Sequence, residues 1–133
     1  MRTLFCALTV MLALGLVAKF TVADDQKGAA AKQSITGILI DQRCGEQLLF
    51  KDNPEAAAVD HTKACATAEA CAASGYTVIS VNKMFKFDDN GNTLAKDFLA
   101  KTPLDKNLRV TVEGTVNVDQ IAVTSLTAAT QPK

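Results

Sequence analysis

The stretch His61–Tyr76, HTKACATAEACAASGY, constrains this chain more than any other. Its alanines favour helix, yet it lies between runs rich in β-branched residues, which favour strands. It carries the one histidine and two of the four cysteines, Cys65 and Cys71. A β fold built from the flanking runs must carry this segment as a helical insertion. Few large apolar side chains are available to anchor it. The candidate anchors are His61 and the cysteines themselves, with Cys44 a short way upstream.

How many cysteines matter depends on the N-terminus. Arg2 precedes an apolar run, Leu4 to Ala18, and Thr21-Val22-Ala23 ends on a small residue just before Asp24-Asp25. This pattern predicts a secretory signal peptide over residues 1–23. The run is too short, and too promptly followed by charge, for a good membrane anchor. Cys6 leaves with the leader, so Cys44, Cys65 and Cys71 remain. The expected destination is the periplasm or the outside of the cell, where thiols pair unless something else holds them. Three thiols cannot all pair within one chain.

Losing Arg2 and Lys19 reduces fourteen basic residues to twelve, against fourteen acidic ones. A near-neutral, slightly acidic surface provides no electrostatic footprint for nucleic acid or for anionic lipid. Neither partner is expected, nor any membrane association after cleavage.

Asp24 to Gln33 is polar and small and reads as a flexible lead. Ser34 to Asp41 (SITGILID) reads as a strand, with Gly37 marking a bulge or a close backbone approach. Asn53-Pro54-Glu55 has the signature of a helix start, with Asn as cap and Pro at the first position. Helix propensity then extends from Ala56 to Ala73, as one helix or as two broken near Asp60 or Thr67. Tyr76–Val81 and Met84–Phe87 predict a hairpin turning at Asn82-Lys83. Asp88-Asp89-Asn90-Gly91 reads as a solvated turn, because no glutamate closes a twelve-residue calcium loop there. Asn92 to Lys101 predicts a helix capped by Asn92 and ended by Thr102-Pro103. Leu108–Val116 alternates cleanly, and Ile121–Thr127 returns as its partner with a phase shift that predicts a bulge between Val123 and Leu126. The tail from Ala128 is expected to fray.

The element order is β-β-β-α-β-β, with a Cys-containing helical insertion over 43–75 between the first two strands. This order predicts a mainly β domain over residues 34–133, an OB-fold-like barrel. The alternative is a small α+β sandwich built from the same elements.

The segments ITGILIDQRCG, HTKACATAEACAASGYTV, KMFKFDDNGN and LRVTVEGTVNVDQIAVTSL together resemble a family of small exported bacterial proteins of unknown function. The resemblance covers nearly the whole mature chain. It implies an exported protein with a compact β fold and implies no activity.

Two readings of the cysteines and the histidine stay open. In a helix, His61 and Cys65 share one face. Cys71 joins them if the helix breaks near Thr67, and Cys44 comes in from the end of the first strand. Three thiolates and one imidazole suit zinc, and thiolates also suit Cu(I). Asp41 or Asp60 is placed to support His61 from behind. The expected metal ligands are therefore Cys44, His61, Cys65 and Cys71, with zinc or copper as the ion. The alternative is one disulfide, Cys65–Cys71 or Cys44 with either, stapling the insertion of a non-catalytic interaction domain. Such a domain would present its surface to an unidentified protein or small ligand.

No enzyme is expected. The chain has no G-x-S-x-G, no H-E-x-x-H and no phosphate-binding glycine loop. A Cys–His nucleophilic pair, Cys65 or Cys44 with His61, has no orienting residue marked beside it. A redox pair lacks the C-x-x-C spacing. Tyr76, Phe85 and Phe87 are better explained as core or cross-strand residues than as a stacking platform for single strands.

Overall fold

The computed structural model describes residues 31–130. The expected leader, and the lead as far as residue 30, lie outside the described residues.

Strand β1 (Lys32–Asp41) is the organising element, two residues longer than its sequence pattern. Its first half pairs antiparallel with β4 (Arg109–Asn117), and its second half pairs with β2 (Tyr76–Ser80). Sheet neighbours and helices enclose the second half, so Ile38, Leu39 and Ile40 are fully buried. Alternation still sorts them: Ile35 and Leu39 enter the main core, while Ile38 and Ile40 enter a smaller cluster with Ala58, Ile79 and Met84. A run of three apolar residues is what a strand covered on both faces requires.

Gly37 is there for the close approach and not for a bulge. A Cβ at this position would lie 2.2 Å from the carbonyl oxygen of Ile79.

β2 turns through Val81-Asn82 into β3 (Lys83–Phe87), and β4 turns through Val118-Asp119 into β5 (Gln120–Ala128). In the second hairpin Glu113 faces Ser125 while Gly114 faces Val123, so Thr124 is the extra residue of a bulge at the predicted place. Two parallel pairs, Lys86 with Gln120 and Phe87 with Ile121, join β3 to β5. The strands therefore bond in the cyclic order β1-β2-β3-β5-β4 and back to β1. All five belong to one mixed sheet. The helices around that sheet make the whole an α+β arrangement and less purely β than expected.

The helices differ most from expectation. Gln42–Leu48 forms a helix, α1, at the start of the expected helical insertion. The alanine-rich run divides into three short pieces, α2 (Pro54–Ala58), α3 (Lys63–Thr67) and α4 (Glu69–Ala72). Asn53 caps α2 as its sequence predicts. The chain breaks near both suspected points, around Asp60 and just after Thr67. Helix α5 (Asp89–Lys101) begins inside the supposed Asp88–Gly91 turn. Asp88 is its cap, accepting from the Gly91 amide at 2.9 Å and from the Val123 amide at 3.1 Å. Asn92 is not the cap: its side chain accepts instead from the Tyr76 amide at 2.7 Å, tying α5 to the start of β2. Through Ala95 and Leu99, α5 packs into the main core beside Val110, Val112, Ile121 and Val123. Ala128 is not frayed, since it pairs with Val110 and the next amide donates to the Arg109 carbonyl.

Candidate metal centre

The centre lies where β1 ends and the insertion begins. Asp41 is the last residue of β1 and the cap of α1. Its Oδ1 accepts the Cys44 amide at 2.9 Å, which fixes both the carboxylate and the first turn that carries Cys44. Gly45 lets that turn lie flat on the sheet, because a Cβ there would meet Met84 Sδ at 2.9 Å. Thr62 caps α3 by accepting the Cys65 amide at 3.1 Å, so each of these two cysteines sits in a capped first turn. His61 lies between α2 and α3 in a segment held from both sides. The Asn107 amide donates to the Val59 carbonyl at 2.9 Å, and the Lys63 amide donates to the Asp105 carbonyl at 2.7 Å.

These caps bring Asp41, Cys44, His61 and Cys65 together, with one donor atom from each within 4.8 Å of every other. His61 Nε2 approaches Asp41 Oδ2 at 3.1 Å. The contact does not have the geometry of a hydrogen bond. Asp41 Oδ2 and both imidazole nitrogens are thus buried without a hydrogen-bond partner among the described residues. Buried polar atoms are nearly always satisfied. A cation bound between the two side chains would satisfy Asp41 Oδ2 and one imidazole nitrogen.

The electrostatics agree with the geometry. Burial pushes the Asp41 carboxyl up, but contact with His61 and the Cys44 amide outweighs burial and holds it below the ordinary carboxylate range. The Cys44 thiol is pushed up to about 12 by burial, by the Asp41 carboxylate and by Cys65. Without a cation this thiol keeps its proton at neutral pH. A bound metal reverses that preference and displaces the proton.

Cys71, on α4, stands at the margin. Its thiol interacts with those of Cys44 and Cys65, and burial and the Asp41 charge push it up, but it is outside the four-donor cluster. The structure therefore gathers three of the four expected ligands and puts Asp41 in the fourth place. Asp60, the other residue considered as support, is far out on the surface facing Lys106 at 3.9 Å. The disulfide reading is not met among the described residues, where Cys44, Cys65 and Cys71 are all free thiols.

Tyr76 adjoins the centre through its strand partner Asp41. Its buried hydroxyl donates to the Ala66 carbonyl of α3 at 3.2 Å. Its sequence signal, the Gly-Tyr that ends the insertion, marked it as a core residue and gave no hint of this second contact.

Fold and centre together define a small α+β protein whose Cys/His/Asp cluster joins a helical insertion to the first strand. No family model, no curated protein and no solved structure matches this chain.

Proposed function

We propose that this chain is a small exported metal-binding module that holds one zinc ion through Asp41, Cys44, His61 and Cys65. The observation that carries the proposal is a buried carboxylate and a buried imidazole, Asp41 and His61, without hydrogen-bond partners for Oδ2 or the ring nitrogens, each offering one donor atom within 4.8 Å of those of Cys44 and Cys65. A carboxylate, an imidazole and two thiolates are all zinc donors, and four is the number a closed tetrahedral site takes. The ion would do what the sparse apolar packing of the insertion does not, fastening α1 and α3 to β1.

Export rests on the signal-peptide pattern of residues 1–23 and on the family resemblance. In an oxidising compartment a bound ion is what keeps thiols from pairing. The cyclic strand order, with α5 between the third and fourth strands, supports reading the scaffold as an OB-type barrel. The insertion would then lengthen its first inter-strand loop, a position such barrels use for binding. A protonated Cys44 thiol is a poor nucleophile, which supports a binding role over a catalytic one.

The test is the mass of the purified protein, sprayed natively and then denatured, with metal content measured on the same sample. One zinc per chain in the native spectrum, three intact thiols after denaturation, and loss of the ion in His61→Ala are expected. A metal-free native spectrum with a two-hydrogen mass deficit would overturn the proposal in favour of a disulfide.

A further inference from the structure

Strand β1 outruns its neighbour β2, and the difference leaves a stretch of sheet edge open. Its pairing with β4 runs from Lys32 to Ile38, whereas its pairing with β2 covers only Ile38 to Asp41. The Leu39 amide donates to the Leu108 carbonyl at 2.9 Å, so Leu39 directs its backbone polar groups toward the β4 side. Alternation aims those of Gly37, Ile35 and Gln33 the same way, and those of Thr36, Ser34 and Lys32 toward the opposite edge.

The register of β2 would bring Val81 opposite Thr36. Val81 leaves instead through φ 55°. Both its backbone groups go to Glu55: the amide donates to Oε2 at 2.5 Å, and the carbonyl accepts the Glu55 amide at 3.3 Å. Ser80 Oγ donates to the Thr36 carbonyl at 2.8 Å. The Thr36 amide and both backbone groups of Ser34 are left without a partner among the described residues. Unpaired N–H and C=O groups in a row are a template for another strand.

A cavity of about 440 Å³ runs along this edge, between Ser34–Thr36 on one side and the Ser80–Lys83 turn with Phe85 on the other. Ile35 and Phe85, which both pack with the main core, supply its apolar surface. Lys83 is the one charged residue lining it. It lies on the same face of β3 as Phe85 and makes no ion pair among the described residues.

We propose that this edge of β1 accepts an extended peptide as an added antiparallel strand, with a glutamate of the peptide beside Ile35. Backbone pairing with Ser34 and Thr36 supplies affinity, and the side chain turned into the cavity supplies selectivity. A glutamate fits because its methylenes cover apolar surface while its carboxylate faces the Lys83 ammonium. A second copy of this chain fits less well. Symmetric pairing about Ser34 puts the incoming Gln33 beside Ile35 and the incoming Lys32 beside Thr36, which adds a cation on the side of Lys83. The edge is at the opposite end of β1 from Asp41, so the interaction needs no metal ion at the centre.

The probe is an acetylated, amidated pentapeptide, Thr-Glu-Thr-Val-Thr, titrated into isotope-labelled protein and followed by NMR. Saturable shifts are expected at the Ser34 and Thr36 amides, whose hydrogen exchange slows in the complex. Ser34→Pro removes an edge donor without touching the β4 ladder and is expected to abolish binding, with thermal unfolding confirming that the variant is folded. Lys83→Ala, or glutamine in place of the peptide glutamate, weakens binding by up to about fivefold, the range of an exposed ion pair. The two changes together cost no more than either alone.

No shift at the two amides overturns the proposal, as does full affinity in a folded Ser34→Pro. A glutamine peptide that binds equally well overturns the role of Lys83. Shifts at these amides that follow protein concentration alone assign the edge to a second copy, and slow exchange before peptide is added assigns it to this chain's own N-terminal residues. Either result overturns the peptide reading and leaves the zinc proposal standing.

Discussion

Asp41 uses its two carboxylate oxygens for different tasks: Oδ1 caps α1 through the Cys44 amide at 2.9 Å, and Oδ2 faces His61 Nε2 at 3.1 Å. One residue thereby joins the end of the first strand, the start of the insertion and the histidine seventeen residues beyond the cysteine turn. The helix cap and the candidate metal donor are thus one side chain. Substitution can separate them.

Asn caps helices as well as Asp does, but it offers the ion no negative charge. Asp41→Asn is expected to keep α1 intact and to weaken zinc by more than tenfold. Asp41→Ala loses the cap as well, and its apo form should be less stable than that of the Asn variant by about 1 kcal/mol. Denaturant unfolding of the apo proteins and competition titration with a zinc-binding dye check the two effects separately. Unchanged zinc affinity in Asp41→Asn would remove Asp41 from the donor set.

Glu55 provides a pH-dependent fastening on the far side of the insertion. Its Oε1 meets Arg109 Nη1 at 2.6 Å and its Oε2 accepts the Val81 amide at 2.5 Å, so α2 is tied to β4 and to the first hairpin. Burial pushes the carboxyl up, but the Val81 amide and the Arg109 guanidinium prevail and hold it below its ordinary value of 4.5. A carboxyl lowered in the folded state binds fewer protons there than in the unfolded chain. Its contribution is therefore complete above pH 4.5 and is lost as the pH falls through the folded value. Glu55→Gln is expected to cost about 1 kcal/mol at neutral pH. The gap between the two unfolding curves should close in acid, and a gap that persists unchanged at pH 2–3 would assign the loss to packing.

The β framework was legible because alternation and turn chemistry are local. Leu108, Val110 and Val112 point inward as their spacing predicts, and the bulge shows itself in the shifted phase after Val123. The helix starts were harder, since the same residues serve turns and caps. Asp88-Asp89-Asn90-Gly91 has the composition of a turn, and only the Val123 amide, brought up by β5, makes Asp88 a doubly used cap. Helix α1 was hidden by Gly45, a poor helix former whose presence is explained by Met84 lying against it. The centre was legible as a group of cysteines around one histidine. The place of Asp41, and not Cys71, in the four-residue cluster was not, because it depends on where β1 ends beside His61, and sequence separation carries no such distance.

Gly37 shows what a close approach costs when it is removed. A methyl group there would lie 2.2 Å from the Ile79 oxygen and 2.9 Å from Val78 Cγ2. Ile79 is paired backbone of β2, opposite Ile38, and has no flexible end to move aside. Gly37→Ala must separate β1 from β2 locally, so a loss of at least about 2 kcal/mol is expected, at the upper part of the range for overpacked cores. An unchanged midpoint in denaturant unfolding would show that the sheet adjusts without cost.

The two hairpins share a strained corner. Val81 and Val118, each the first residue of a two-residue turn, adopt φ 55° and φ 59°. A β-branched residue rarely occupies this region, and the cost is on the order of 1–3 kcal/mol. At Val81 the position is held by Glu55, which accepts its amide and donates its own to the Val81 carbonyl at 3.3 Å. Val118 has 89 % of its surface exposed, so packing offers little return for its strain. Val118→Asn keeps the turn and substitutes a residue that tolerates positive φ, so a gain of about 1 kcal/mol is expected. Val81→Asn should gain less if the Glu55 contacts depend on how Val81 is seated. Thermal unfolding of both variants decides between these corners. A destabilised Val118→Asn would mean that the exposed valine makes a contact worth more than the strain it carries.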